Sequence, residues 1–128
     1  AADALELSRR AVARLVAGLG PDDPAVLVAL THLGTACLQT RRDEEAAAAF
    51  ARAVSVADAS GASEPARAAA ELSLATALWR TGAKDDARAT ATVAYARIAA
   101  TADAPEGAAI FAGWFDQRGL QRPDAKGP

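Results

Sequence analysis

The strongest constraint on the fold of this chain is an internal repeat with a period of about 41 residues. Gly20 and Gly61 stand one period apart, and Pro24, Pro65 and Pro105 follow one another at nearly the same spacing. Proline suits the first turn of a helix, where its missing N–H costs nothing, and glycine suits the position just past a helix end. Each Gly-to-Pro stretch therefore predicts the end of one helix and the start of the next.

Each repeat is divided again by a short polar turn near its middle. The turns at 40–43 and 81–84 are likewise one period apart, and Asp23 and Ser63 are suitable N-caps for the helices that follow them. The predicted helices cover residues 3–18, 24–40, 43–59, 65–81, 84–101 and 105–118.

The apolar residues support this division. Two series advance in steps of four, three and four positions, which places their members on one face of a helix. The members are Val26, Leu30, Leu33 and Cys37 in one series and Ala46, Phe50, Ala53 and Ala57 in the other. Of the 128 residues 38 are alanine, which favours helix over strand. The sequence therefore predicts an all-α solenoid of antiparallel helical hairpins with about six helices.

The repeat also predicts the domain organisation. Residues 1–119 form one helical repeat domain, and residues 120–128 are expected to be a flexible tail. The predicted units are a second-helix half-repeat at 1–20, full repeats at 21–61 and 62–102, and a capping half-repeat at 103–119. Because the chain contains no methionine, we expect it to be part of a longer protein.

Several motifs in register resemble the tetratricopeptide repeat family. That family places Leu-Gly and then a large residue in its first helix, and Ala, an aromatic residue and Ala in its second. The matching residues of the first full repeat are Leu33-Gly34, Cys37, Ala46, Phe50 and Ala53. Those of the next repeat are Leu74-Ala75, Leu78, Gly82, Ala87 and Ala94, with Ala91 where the aromatic residue is usual.

The resemblance extends to both ends of the repeat domain. The alignment that pairs Ala4 with Ala46 also pairs Ser8 with Phe50 and Ala11 with Ala53, and Phe111-Ala112, Phe115 and Gly119 resemble another first helix. The long period and the linker 19–24 are similar to the kinesin-light-chain-like branch. Two departures stand out, because Arg41 replaces the turn glycine and Glu71 occupies the place of Leu30.

The resemblance implies a concave groove, lined by the first helix of each repeat, that receives a peptide or a partner helix. The groove positions carried over are Thr31, His32, Thr35, Leu38, Gln39, Leu72, Ser73, Thr76, Trp79 and Arg80. Trp79 and Arg80 are the most suggestive pair, since tryptophan and arginine are enriched at binding hot spots. The alternative is that Trp79 covers a junction between neighbouring helices.

The residues that carry chemistry form no catalytic pattern in the sequence. His32 and Cys37 are five positions apart on one helix and point about 140° apart, so they cannot meet as a nucleophilic pair. The consecutive acids at 43–45 point in different directions around a helix, so they do not converge on a metal ion. Acids are also favoured in a first helical turn by the helix dipole. We therefore expect no enzyme activity, no cofactor and no metal site.

Charge and hydropathy exclude two classes of partner. The formal net charge is -2, and the 12 arginines and 2 lysines are scattered, which argues against nucleic acid and an anionic membrane. No apolar run approaches the roughly 18 residues that a membrane-spanning helix needs.

A single cysteine and the lack of a basic leader favour a cytoplasmic setting.

The function that fits these observations is a non-catalytic protein-protein interaction module. One alternative is a segment that extends a solenoid or self-associates within a multidomain bacterial signalling protein, for example the tail of a serine/threonine kinase. Sensing of a small ligand in the groove is another. Self-association would use the aromatic residues of the last helix, Phe111, Trp114 and Phe115, although packing against the preceding hairpin is the favoured role for them.

Overall fold

Six α-helices follow one another in the computed structural model, which describes residues 2–101 and 104–123. They are α1 (Ala2–Leu19), α2 (Pro24–Gln39), α3 (Asp43–Ala59), α4 (Glu64–Thr81), α5 (Lys84–Ala99) and α6 (Ala104–Gln117). Every predicted helix is confirmed, with ends that agree to within two residues. The predicted all-α helical repeat is therefore confirmed as well.

The helix ends follow from the residues that mark them. The side chains of Asp23 and Ser63 accept hydrogen bonds from the backbone N–H groups of Ala25 and Ala66, which caps α2 and α4. Gly82 ends α4 with φ +94°, a left-handed conformation that suits glycine. The equivalent position after α2 is Arg41, which adopts φ +59° despite its Cβ.

Consecutive helices pack against each other along the chain. The most extensive contacts join α2 to α3, α3 to α4 and α4 to α5, and smaller ones attach α1 and α6 at the two ends. The first core cluster holds apolar side chains of α1 to α4 and includes Leu30, Phe50 and Val56. Gly34 allows α2 to approach α3, because a Cβ there would lie 2.5 Å from the ring of Phe50.

In the second full repeat, the buried aromatic side chains of the core come from α6 and not from the second helix of the repeat. Ala91 stands at the position of Phe50, and Ala75 stands opposite at the position of Gly34. Both alanines are completely buried, in one cluster with Trp114 and Phe115 of α6. Aromatic rings from the next helix therefore complete the core around the alanines that replace the usual aromatic residue.

One face of α6 packs against the preceding hairpin. The three aromatic side chains proposed for self-association, Phe111, Trp114 and Phe115, are 8%, 5% and 0% exposed and pack against α4 and α5, which leaves them little surface to offer a second copy. Leu120, placed by the sequence at the start of the flexible tail, packs on the same cluster, and Arg122 pairs with Asp116. Residues 124–128 lie outside the described residues.

Candidate functional site

A groove separates the two first helices, α2 and α4. It contains a cavity of about 260 Å³ whose lining residues are Leu27, Val28, Thr31, His32, Ala66, Ala69, Ala70 and Ser73. The α4 wall consists of alanines and one serine, which leaves room in front of it. Val28 on the opposite wall exposes 56% of its surface, so the groove offers apolar contact to a ligand.

Three of the ten predicted groove residues line this cavity together, namely Thr31, His32 and Ser73. The imidazole of His32 is exposed. The hydroxyl of Thr31 donates to the carbonyl of Leu27 at 2.9 Å, so its oxygen remains an acceptor for a ligand. Two predicted hydroxyls outside the cavity, those of Thr35 and Thr76, likewise donate to carbonyls four residues earlier.

The structure places Trp79 at the junction of α4 with α6, as in the alternative interpretation. Its ring meets the ring of Trp114 edge to face, with centroids 5.9 Å apart, and the ammonium of Lys84 lies 4.8 Å from its centroid. The indole Nε1–H of Trp114 donates to the hydroxyl of Thr76 at 3.1 Å. Two predicted groove residues, Thr76 and Trp79, are therefore engaged with the last helix.

Arg80 connects the two repeats instead of standing free in the groove. Its Nη2 donates to the backbone oxygen of Leu38 at 3.2 Å and lies 3.1 Å from Oδ1 of Asp43. Gln39 is exposed nearby, and the side chains of Leu38 and Leu72 are half-buried against the core clusters. Of the ten predicted residues, three therefore line the open cavity, whereas Thr76, Trp79 and Arg80 make contacts within the chain.

A larger polar cavity of about 600 Å³ lies beside the turn between α2 and α3. Three arginines and three acids line it together with Thr81, namely Arg41, Arg42, Arg80, Asp43, Glu44 and Glu45. The lining side chains carry three positive and three negative formal charges, and Arg80 and Asp43 among them are paired. Glu45 also pairs with Arg9 of α1, whose guanidinium hydrogen bond lowers the pKa of that carboxyl group.

The groups that could carry chemistry do not converge. Cys37 is completely buried, and burial raises the pKa of its thiol, whereas His32 faces solvent. Among residues 2–101 and 104–123, no group of three His, Cys, Asp or Glu side chains could hold a metal ion. Within these described residues, Cys37 and His32 therefore lie apart.

The family model of the tetratricopeptide repeat matches residues 1–59. Residues 1–59 carry the tetratricopeptide repeat. No curated protein and no solved structure gives a significant match to the chain. The matched region ends with α3, and the second full repeat continues the same helical arrangement through α4 and α5.

Tetratricopeptide repeats generally mediate protein-protein interactions and are typically non-catalytic. The groove between α2 and α4 separates two first helices of successive repeats, where the resemblance implied a binding face. No described helix is long and apolar enough to cross a membrane.

Sequence reasoning missed five residues of the cavity wall. These are Leu27, Val28, Ala66, Ala69 and Ala70. A signal for four of them was present, because each lies three or four positions before a predicted groove residue and so shares its helix face. Leu27 precedes Thr31 and Val28 precedes His32 by four positions, and Ala69 and Ala70 precede Ser73 by four and three. They were passed over because alanine and valine suggest core and not a binding surface.

Proposed function

We propose that the groove between α2 and α4 binds a peptide or a helix of a partner protein. The observation that carries this proposal is the cavity between two successive first helices, open between Val28 and the alanine wall of α4. An apolar side chain of the ligand inserts between these walls and removes apolar surface from water. Thr31, His32 and Ser73 supply the polar contacts at the same place.

This proposal rests on the part of the groove nearer the N-terminal ends of α2 and α4. The remaining predicted groove residues stay predictions, and they are Thr35, Leu38, Gln39, Leu72, Thr76, Trp79 and Arg80. Trp79 and Arg80 already have partners within the chain, so a ligand at that end competes with Trp114 and Asp43. Membership in a longer signalling protein and a cytoplasmic location stay predictions too.

Selection from a displayed library of random peptides tests the groove directly. We expect enriched peptides to bind the wild-type chain and to lose at least tenfold in affinity for the Ala69→Arg variant, since an arginine at this exposed wall position fills the cavity. The Val93→Arg variant is the matched control, because Val93 is 48% exposed on α5 and does not line the cavity. Equal binding of the selected peptides to both variants would contradict the proposal.

A further inference from the structure

Two cations lie beside the ring of Trp79, where the ends of α4 and α6 meet the start of α5. The ammonium Nζ of Lys84 is 4.8 Å from the ring centroid, and the guanidinium carbon Cζ of Arg118 is 5.9 Å from it. The same Cζ lies 4.3 Å from the ring centroid of Trp114. We call Lys84, Arg118 and the two indole rings the cation–indole cluster. It is separate from the α2–α4 groove, because none of its residues lines the cavity there.

The positive charges of the cluster are not neutralised by the chain itself. Neither Lys84 nor Arg118 forms an ion pair with a carboxylate of the described residues. Nη1 of Arg118 donates to the backbone oxygen of Trp114 at 3.0 Å, but its Nε is buried and has no acceptor within this part of the chain. Burial lowers the pKa of this guanidinium. The indole faces attract both cations but offer no acceptor to their N–H groups, so an anion would improve the site.

The internal repeat shows how the same place is neutralised one period earlier. Lys84 stands 41 residues after Asp43, and each is the first residue of a second helix. At the first junction Arg80, near the end of the following first helix, lies 3.1 Å from Oδ1 of Asp43. At the second junction Arg118 directly follows the next first helix, α6, and lysine replaces the acid. An arginine–carboxylate pair is thus exchanged for two cations.

The exchange indicates the charge of the group that fits. One arginine meets one carboxylate at the first junction, whereas two cations at the second junction match a dianion. A phosphate group carries about two negative charges near neutral pH, and its oxygens accept charge-assisted hydrogen bonds from guanidinium and ammonium groups. We propose that the cation–indole cluster binds a phosphate group, either the inorganic ion or a monoester, through Lys84 and Arg118.

The cluster contains its own reporter for a binding experiment. Trp79 and Trp114 are the two tryptophans of the chain, so tryptophan emission reports on this place. The full chain is titrated with sodium phosphate at about pH 7.5, where phosphate is mostly dianionic, with sodium chloride added to hold the ionic strength constant. We expect a saturable change in emission and at least tenfold weaker binding of acetate. A parallel titration with glycerol phosphate distinguishes a monoester from the inorganic ion, and saturation by either one supports the proposal.

Protein variants locate the bound phosphate. Lys84 is exposed, so Lys84→Gln leaves the fold intact and should weaken binding at least tenfold by removing one cation. Lys84→Asp provides the carboxylate of the first junction and should abolish the phosphate response. It should also raise the thermal midpoint in phosphate-free buffer, and this gain should shrink when Arg118→Gln is added. Arg52→Gln removes an exposed cation of α3 and is the matched control, which should bind phosphate as wild type does.

Three results would overturn the proposal. They are the lack of a saturable response in the wild-type chain, equal affinity of wild type and Lys84→Gln for phosphate, and equal affinity of the wild type for phosphate and acetate. The cluster and the α2–α4 groove are tested independently, because Ala69→Arg changes the groove alone and should bind phosphate as wild type does. Peptides selected for the groove should conversely retain their affinity for Lys84→Gln.

Discussion

The carboxylate of Glu71 accepts two hydrogen bonds from the guanidinium of Arg97, from Nε at 2.8 Å and from Nη2 at 3.3 Å. Glu71 is only 7% exposed. In the preceding repeat the equivalent positions of α2 and α3 hold Leu30 and Val56, both in the apolar core. The contact between α4 and α5 therefore contains an ion pair where the contact between α2 and α3 contains two aliphatic side chains.

Loss of one member of this pair should be costly. Arg97→Ala leaves the buried Glu71 carboxylate without its main partner, and we expect a decrease of about 3 kcal/mol in the free energy of unfolding. The double variant Glu71→Leu with Arg97→Val restores the residues of the preceding repeat and should be at least as stable as wild type. Urea denaturation measures both. A double variant no more stable than Arg97→Ala would show that the ion pair is not replaceable here.

Gly34 should not tolerate a methyl group. In Gly34→Ala the new Cβ would lie 2.5 Å from a ring that is itself buried, so we expect a net loss of about 1 kcal/mol despite the better helix propensity of alanine. Gly18→Ala in α1 is the matched control and should stabilise, because its Cβ meets nothing within 4 Å. Phe50→Leu should reduce the cost of Gly34→Ala in a double-mutant cycle followed by thermal denaturation. Additive effects of the two changes would contradict the contact.

Arg41→Gly should stabilise the chain. Arg41 holds φ +59°, where its Cβ is unfavourable, and Gly82 occupies the equivalent turn with φ +94°. We expect a gain of about 0.5–1 kcal/mol, since the relief of backbone strain exceeds the extra entropy of glycine in the unfolded chain. The reciprocal Gly82→Ala should destabilise. A lower urea midpoint for Arg41→Gly would mean that the arginine side chain contributes more than its backbone costs.

The ion pair between α1 and α3 should make stability depend on acid. The guanidinium of Arg9 lowers the pKa of Glu45, so this contribution is present above the unfolded carboxyl pKa of about 4.3 and is lost as the pH falls through the lower folded value. Arg9→Gln should therefore lower the urea midpoint at pH 7, and the difference from wild type should shrink as the pH falls below the unfolded carboxyl pKa. Arg10→Gln, at a more exposed arginine, is the control. A midpoint difference that persists unchanged in acid would exclude this mechanism.

Trp79→Ala should reduce stability whether or not a ligand binds there. The change removes the edge-to-face contact with Trp114 and the position of Lys84 over the ring, and we expect a loss of about 2 kcal/mol, less than for a fully buried tryptophan. Thermal denaturation followed by circular dichroism measures it, with Gln39→Ala as an exposed control. An unchanged midpoint would return Trp79 to the list of free groove residues.

The helices could be predicted from the sequence because each boundary depends on residues beside it. Asp23, Ser63 and Gly82 act on the backbone within one turn, so their spacing was sufficient. The partners of Trp79 and Arg80 could not be predicted in the same way. Trp114 and Leu38 belong to other helices, and their distances depend on how three helices pack.

Glu71 is another residue whose partner could not be predicted from the sequence. Its position in the repeat marked it as a departure from Leu30, but the sequence did not show which cation accompanies it. Arg97 lies on the following helix, at the position of Val56 in the first repeat. A search for a matched exchange at both equivalent positions would have found the pair. The open walls of the groove were harder to predict, because alanine occurs both in the packed core of this chain and on the wall of an open cavity.

The contacts of each helix with its neighbours in the chain have a consequence for how the molecule opens. Because α1 and α6 have the smaller contacts, separating either one breaks fewer interactions than separating an inner helix. Hydrogen exchange should therefore be faster in α1 and α6 than in the inner helices, and slowest in α3 and α4. Such a gradient makes the described helices behave as a one-dimensional array that loses order from its outer helices towards its centre.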